Sequence, residues 1–341
     1  MTDIRIGLVG AGQWGKNYVR NLASLGVLGA ICDASQERLD SFKADYPGLH
    51  LTTSVDELAA QDDITGVVVA TDTQHHFPVA HKLLAASKSC LVEKPLTDSP
   101  QSSAQLCELA EGSGLTLMVG HILLYHPAVE RIKRMLESGE LGELHYISMI
   151  RAKLGMVRKY ENVMWSFAPH DISVAQYLLG TAPESISASG ASFVTPGIQD
   201  VTQLTLNYPG GSWVSITSNW LDPERTTLIK VIGSKAMAVF NDGNKEAPLT
   251  VYDAGVDWDA LGSETGSTIK LRSGEAQAVQ LDPAEPLKRE CEEFVRCIRE
   301  RATPRSSGRQ GLENIRILAA ADESLRSGGA AVAFTGSTMG Q

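Results

Sequence analysis

The chain has 341 residues, 43% of them hydrophobic, enough for two domains with substantial cores. Thirty lysines and arginines against forty aspartates and glutamates leave a formal charge of −10, which argues against general binding to nucleic acid or to an anionic membrane surface. No apolar stretch reaches the roughly 18 residues of a membrane span, and the sequence enters its first strand without a charged and apolar leader, so a cytoplasmic location is expected.

Taken in order, Ile4-Arg5-Ile6-Gly7-Leu8-Val9 is a β-rich run, Gly10-Ala11-Gly12-Gln13-Trp14-Gly15 is a glycine turn, and residues 14–25 continue as a helix. Strand, glycine turn and helix in this order form a dinucleotide fingerprint. Gly10 permits the turn, Gly12 lets backbone N–H groups approach a pyrophosphate, and Gly15 lets the helix pack on the strand. The helix N-terminus attracts the phosphates, and Gln13 and Trp14 of the same turn are expected among the cofactor-binding residues. A second apolar run, 27–32, ends in Asp33, 18 residues beyond Gly15 and close to the expected acidic position. Asp33 is expected to hold the adenine ribose hydroxyls. Its charge would repel a 2′-phosphate, and Ala34-Ser35-Gln36 offers no arginine to neutralise one, so NAD is favoured over NADP. The bland alternative for Asp33 is a helix N-cap.

A short helix around Asp56-Glu57-Leu58, an apolar strand at 64–70, a helix at 78–86 and a strand at 89–92 follow. That strand closes with Glu93-Lys94-Pro95. A lysine at the carboxyl end of a parallel strand faces the crevice where open α/β sheets bind ligands, so Lys94 can meet a nicotinamide and a substrate together. A helix at 100–111 and a strand at 115–119 complete a doubly wound Rossmann domain over 1–122. Residues 127–137 form a joining helix, with Pro127 in its first turn and Ser138-Gly139 at its end.

From about residue 140 the rhythm turns to β segments at 143–153, 185–193, 202–208, 212–219, 227–232 and 235–240, with turn clusters at 208–212 and 232–235. They predict an α+β domain over 123–341 with a large, mostly antiparallel sheet. Residues 255–274, rich in Gly, Ser and Asp, read as a surface excursion. Helices at 286–301 and 309–326 are placed near the domain junction. The five cysteines form no C-x-x-C pair and sit in apolar contexts, which predicts buried thiols. The eight histidines show no H-E-x-x-H spacing, and no metal site is expected.

The glycine turn, Ala70-Thr71 with His76 downstream, Glu93-Lys94-Pro95, and His170 ahead of Tyr177-Leu178-Leu179-Gly180 together resemble the Gfo/Idh/MocA oxidoreductases almost end to end. The resemblance implies that Thr71, His76, Glu93 and Lys94 line the nicotinamide side of the cofactor, and that Lys94-Pro95 is a cis peptide. Residues 120–127 and 162–173 resemble a branch acting on nucleotide sugars, the UDP-N-acetylglucosamine 3-dehydrogenases. That branch implies oxidation of a C3 hydroxyl to a ketone consumed by a pathway aminotransferase. The chain departs from the family pattern where carboxylates precede and follow the catalytic histidine: Ser166 and Ser173 stand there, with the adjacent Asp171 a candidate for substrate binding.

Oxidising a secondary alcohol needs a base for the hydroxyl proton while the carbinol hydrogen leaves as hydride. His170 is the better acceptor, because an unperturbed imidazole near 6.5 is largely neutral at cytoplasmic pH, whereas a lysine starts near 10.4. Lys94 is instead expected to donate to the substrate oxygen. His76 has a bland alternative as a cap of the following helix. For His121 and His126 a satisfied core histidine is at least as good a reading as a ligand. Arg151, Lys153, Arg158 and Lys159 form the densest basic cluster near His170 and are candidates for a substrate pyrophosphate. Tyr160, Trp165 and Asn219-Trp220 are candidates to pack on sugar or uracil rings, with core packing as the alternative. An inositol-type or free-sugar dehydrogenase and a non-catalytic NAD-responsive protein remain alternatives. A homodimer or homotetramer is expected, because a sheet covered on one side leaves a second face to bury.

Overall fold

A computed structural model describes residues 4–258 and 269–336. Residues Met1–Tyr125 and Ala284–Arg316 form one unit, His126–Pro283 and Ile317–Gln341 a second. Within the described residues no helix is long and apolar enough to cross a membrane.

The first unit is built on six strands, β1 (Ile6–Val9), β2 (Leu28–Cys32), β3 (His50–Thr52), β4 (Gly66–Val69), β5 (Ser89–Glu93) and β6 (Leu117–Gly120). They lie in the order β3-β2-β1-β4-β5-β6, and every pair is parallel. Strands covered on both faces are apolar throughout rather than alternating, which is why Val67, Val68 and Val69 are all buried in β4, and Cys90, Leu91 and Val92 in β5. The chain winds outward from β1 through β3 and then outward the other way from β4 through β6. This reversal between β1 and β4 opens a ligand crevice at the carboxyl ends of the strands.

The crossover helices are α1 (Gly15–Ser24), α2 (Gln36–Asp40), α3 (Val55–Ala59), α4 (His76–Ala85) and α5 (Pro100–Gly112). Serines 35, 54 and 99 cap α2, α3 and α5 by accepting the N–H three residues on. Neither α2 nor β3 stands out in the sequence, since pieces of five and three residues carry too little periodicity.

The second unit opens with α6 (Pro127–Glu137), β7 (Leu144–Ala152) and α7 (Val163–Leu179). Six further strands follow: β8 (Ser185–Ala191), β9 (Val201–Asn207), β10 (Trp213–Asn219), β11 (Thr226–Gly233), β12 (Met237–Asn241) and β13 (Leu249–Tyr252). A two-stranded pair, β14 (Gly255–Val256) with β15 (Leu271–Arg272), comes next, then β16 (Ala276–Ala278). The predicted excursion at 255–274 is thus pinned at both flanks, and its residues 259–268 lie outside the described residues. Helices α8 (Pro286–Glu300) and α9 (Gly308–Arg326) precede β17 (Val332–Ala333). Helix α8 packs on α1 in the first unit, and the division between the units falls inside α9.

Nine strands form the second sheet, in the order β16-β13-β12-β11-β7-β10-β9-β8-β17. Among the described pairs of this sheet only β7 with β10 is parallel; the others are antiparallel. Alternation shows its two faces. Leu204, Leu206, Val214, Ile216, Ile229 and Val231 are buried on the face covered by α7, whereas Gln203 on the other face bonds Ser215 and Thr217.

Helix α7 has no counterpart among the elements read from the sequence, because Pro169 sits inside it and removes one N–H from its ladder. Its ends were nonetheless signposted: Asn162 caps by accepting from Trp165 N, and Gly180 terminates it in the left-handed region at φ 69°. Gly180→Ala is expected to cost about 1 kcal/mol in urea unfolding, and Gly180→Asn less, because asparagine tolerates that conformation.

Candidate active site

The glycine turn has the shape a diphosphate needs. Gly10 has φ +95°, and a Cβ there would lie 2.6 Å from the Ala70 carbonyl oxygen, so the turn after β1 presses against the end of β4. A Cβ on Gly15 would fall 1.9 Å from the Gly10 carbonyl oxygen, which fixes the start of α1 against the turn. A Cβ on Gly12 would meet nothing within 4 Å. Two glycines therefore serve the protein's own packing, and the third leaves backbone open to a ligand. Gln13 and Trp14 are exposed on the same turn.

Asp33 follows β2 and is buried. Its Oδ2 accepts from Ala11 N at 2.7 Å and its Oδ1 from Ser35 N at 2.8 Å, so the carboxylate anchors the turn it was expected to complement. Ser35, not Asp33, is the N-cap of α2. The guanidinium of Arg38, one helical turn on, lies 3.2 Å from Asp33 Oδ1. Reading only Ala34-Ser35-Gln36 misses this arginine, and only the α2 turn brings it back to Asp33.

At the carboxyl edge of β5, Glu93 is a hub. Its Oε1 accepts from the Trp14 indole N–H and from the Tyr18 hydroxyl at 2.7 Å, and its Oε2 from Lys94 N at 3.0 Å. The absent side chain of Gly120 on the paired strand makes the room, since a Cβ there would lie 3.1 Å from the Glu93 carboxylate. The Lys94-Pro95 bond is cis.

His76 begins α4 and is buried. Its Nδ1 lies 2.8 Å from the Pro95 carbonyl and its Nε2 3.0 Å from that of Thr71. Burial lowers its pKa despite these two acceptors, so the ring is neutral and they compete for one N–H. His76 thus braces the ends of β4 and β5. The Thr71 hydroxyl is buried without a partner among the described residues.

His121 is the residue whose role the sequence left most open. It follows β6 one position after the Glu93 and Gly120 pair, as Lys94 does on β5. It is buried, and neither ring nitrogen has a hydrogen-bond partner among the described residues. Burial first, and the Lys94 charge second, push its pKa down to about 3. A satisfied core histidine would have partners. His126, by contrast, caps α6 by accepting from Ala128 N and packs on Phe240.

In the second unit His170 lies half-buried on α7, one residue after Pro169. Ser173, standing where the family pattern has a carboxylate, donates its hydroxyl to the His170 carbonyl at 2.7 Å. The basic cluster does not act as one. Arg151 donates from Nε and Nη2 to the two oxygens of Asp171, both at 2.8 Å, in a buried bidentate pair joining β7 to α7. Burial opposes the charge, yet Asp171 holds the Arg151 pKa above its ordinary value. Arg151 and Asp171 thus satisfy each other's charge within the protein. Arg158 pairs with Glu161 at 2.8 Å and lies over the exposed Tyr160, while Lys153 and Lys159 are exposed. Trp165 donates to Asp322 at 2.6 Å. Trp220 is fully buried with its indole N–H on Asp200, so it belongs to the core and not to a ring-binding surface. All five cysteines are buried thiols.

Residues 4–121 match the family model described as the oxidoreductase family with an NAD-binding Rossmann fold, and residues 129–239 match that of the GFO/IDH/MocA C-terminal domain. UDP-N-acetylglucosamine 3-dehydrogenase of Acidithiobacillus ferrooxidans is 26% identical over 94% of this chain and 96% of its own length. Inositol 2-dehydrogenase of Corynebacterium glutamicum is also 26% identical, over 64% of this chain and 67% of its own. In fold, the WlbA dehydrogenase of Bordetella pertussis, solved with NADH and UDP-GlcNAcA, superposes with a TM-score of 0.78 at 20% identity, covering 98% of this chain and 99% of that one.

Removing the Asp33 carboxylate frees Arg38 to meet a 2′-phosphate. Asp33→Ser is expected to shift the NADPH-to-NADH affinity ratio toward NADPH by on the order of tenfold or more, read by fluorescence titration, and Asp33→Ser with Arg38→Ala to lose that gain. The folded pKa of His121, about 3, lies below its unfolded value of about 6.5. Its stabilising contribution is therefore complete above about pH 6.5 and is lost as pH falls toward 3. Relative to His121→Asn, the wild type should lose about 2 kcal/mol between pH 7 and pH 5, measured by urea unfolding at each pH.

Proposed function

Since the chain belongs to the Gfo/Idh/MocA oxidoreductase family, we propose that it oxidises a secondary hydroxyl of a nucleotide sugar with NAD, UDP-N-acetylglucosamine being taken to its 3-oxo derivative. The reaction class rests on Lys94, set at the carboxyl edge of β5 by the Glu93 hub. The substrate class rests on the match to the UDP-N-acetylglucosamine 3-dehydrogenase, which runs nearly the full length of both chains.

The fold of the glycine turn, Asp33 and the Thr71 hydroxyl fit a bound dinucleotide, which would supply the hydride acceptor. Lys94 donates to the reacting oxygen and stabilises its developing negative charge. His170 accepts the hydroxyl proton. Lys153 and Lys159, which are exposed, and Arg158 beside them in its pair with Glu161, meet the substrate diphosphate, and Tyr160 and Trp165 flank its rings. The ketone would pass to an aminotransferase. A homodimer or homotetramer would cover the polar outer face of the nine-stranded sheet; a monomer mass in light scattering would remove that part.

Inositol and related polyols form the second reading, favoured by the equal identity to the inositol 2-dehydrogenase. An anaerobic screen of nucleotide sugars and free polyols with NAD, coupled to a glutamate-dependent aminotransferase to trap any ketone, separates the two. Turnover of UDP-N-acetylglucosamine with indifference to inositol is expected; the reverse transfers the assignment to polyols. In the same assay Lys94→Met should lower kcat by about 10²–10³ while NADH affinity changes little, and His170→Gln should lower it by at least about 10². Near-normal turnover by His170→Gln would take the base role from His170.

A further inference from the structure

Across the Tyr18 hydroxyl from Glu93 lies a second carboxyl group that the proposed chemistry does not use. Glu290 sits on α8, fully buried, with its Oε2 3.1 Å from the Tyr18 hydroxyl and its Oε1 without a hydrogen-bond partner among the described residues. Tyr18 itself is fully buried and stands between two carboxyl groups, 2.7 Å from Glu93 and 3.1 Å from Glu290.

A phenol has one proton to give. The shorter distance assigns it to Glu93, so the contact with Glu290 is a hydrogen bond only if Glu290 carries a proton and donates it to the phenolic oxygen. An ionised Glu290 would face that oxygen lone pair to lone pair, inside the core and close to a second carboxylate. Burial first, and the Glu93 charge second, raise the Glu290 pKa well above the ordinary value, and burial raises that of Tyr18 likewise.

We propose that Glu290 is a positioning residue for the cofactor seat: a neutral carboxylic acid that donates to Tyr18, so that Tyr18 donates to Glu93, which in turn holds the Trp14 indole and the Lys94 backbone. The chain of donors runs one way, from α8 through α1 to the edge of β5. It leaves Glu93 as the one carboxylate in the set, its Oε1 taking Trp14 and Tyr18 and its Oε2 taking Lys94 N–H. Because Trp14 belongs to the glycine turn and Lys94 to the nicotinamide edge, this acid sets the relation between the two ends of the dinucleotide site.

The inference rests on the NAD reading and on nothing about the sugar, so it is tested without a substrate. Infrared difference spectra of wild type minus Glu290→Gln at neutral pH should show the C=O stretch of a protonated carboxylic acid, shifting in heavy water. NADH affinity should stay within about twofold in Glu290→Gln, whose amide keeps a donor toward Tyr18. It should fall by about tenfold in Glu290→Leu and in Tyr18→Phe, a change equivalent to one lost hydrogen bond. Absence of the band means Glu290 is ionised and overturns the proposal, as does a loss in Glu290→Gln equal to that in Glu290→Leu. Should Glu290→Leu fail to fold, Tyr18→Phe and the infrared band decide. Normal NADH binding by wild type with no sugar oxidised would sink the substrate assignment and leave this inference standing.

Discussion

Three donors from two segments of chain converge on one carboxylate, and the geometry of the first unit's ligand edge follows from that. Glu93 can accept the Trp14 indole, the Tyr18 hydroxyl and the Lys94 amide at once because a carboxylate has about four lone-pair sites and Gly120 leaves the space beside it open. Charge-assisted hydrogen bonds are stronger than neutral ones, and those from Tyr18 and the Lys94 amide are part-buried. The hub thus ties the glycine turn to the backbone of the lysine, and Asp33 repeats the device by taking Ala11 N and Ser35 N.

What could be read from the sequence was what local backbone chemistry dictates. The glycines are there because two positions admit no Cβ and a third must stay open, and that need leaves a mark at fixed spacing. The apolar strands β1, β4, β5 and β6, the change to alternating strands after residue 140, and Lys94 at a strand end were legible for the same reason. Partnerships across the fold were not. The basic run from Arg151 to Lys159 looks uniform in sequence, yet Arg151 is locked to Asp171 while Lys153 is exposed, and nothing in composition distinguishes a spent charge from an available one. Arg38 reaches Asp33 only because α2 turns it back, and Glu290 reaches Tyr18 only because α8 packs on α1.

The second unit shows the same separation of scaffold from site. Its sheet buries one face of β9, β10 and β11 by period-two patterning, a face that is mostly aliphatic but also takes in Thr202, Ser218 and Thr227. Helix α7 spends its polar residues on structure at several points: Asn162 on its own N-terminus, Ser173 on the His170 carbonyl, Asp171 on Arg151. Trp165 is anchored to Asp322 by its indole N–H. Such struts restrict how α7 can shift, and with it the placement of His170.

Protonation states at the edge of β5 then limit which group can serve as base. Burial pushes the His121 pKa down to about 3, so it takes no proton near neutrality, and burial with the Glu93 charge raises that of Glu290, which in the arrangement proposed above already holds its proton. An ammonium has three donors and no acceptor, so Lys94 can steady an alkoxide but cannot receive its proton while charged. The Glu93 carboxylate is occupied by three donors, and loading it with a proton would break the hub that seats Lys94. Alcohol oxidation nevertheless releases a proton with every turnover. The acceptor has to come from outside this set of four, and that requirement, more than the position of any histidine in the sequence, gives His170 its place in the proposed chemistry.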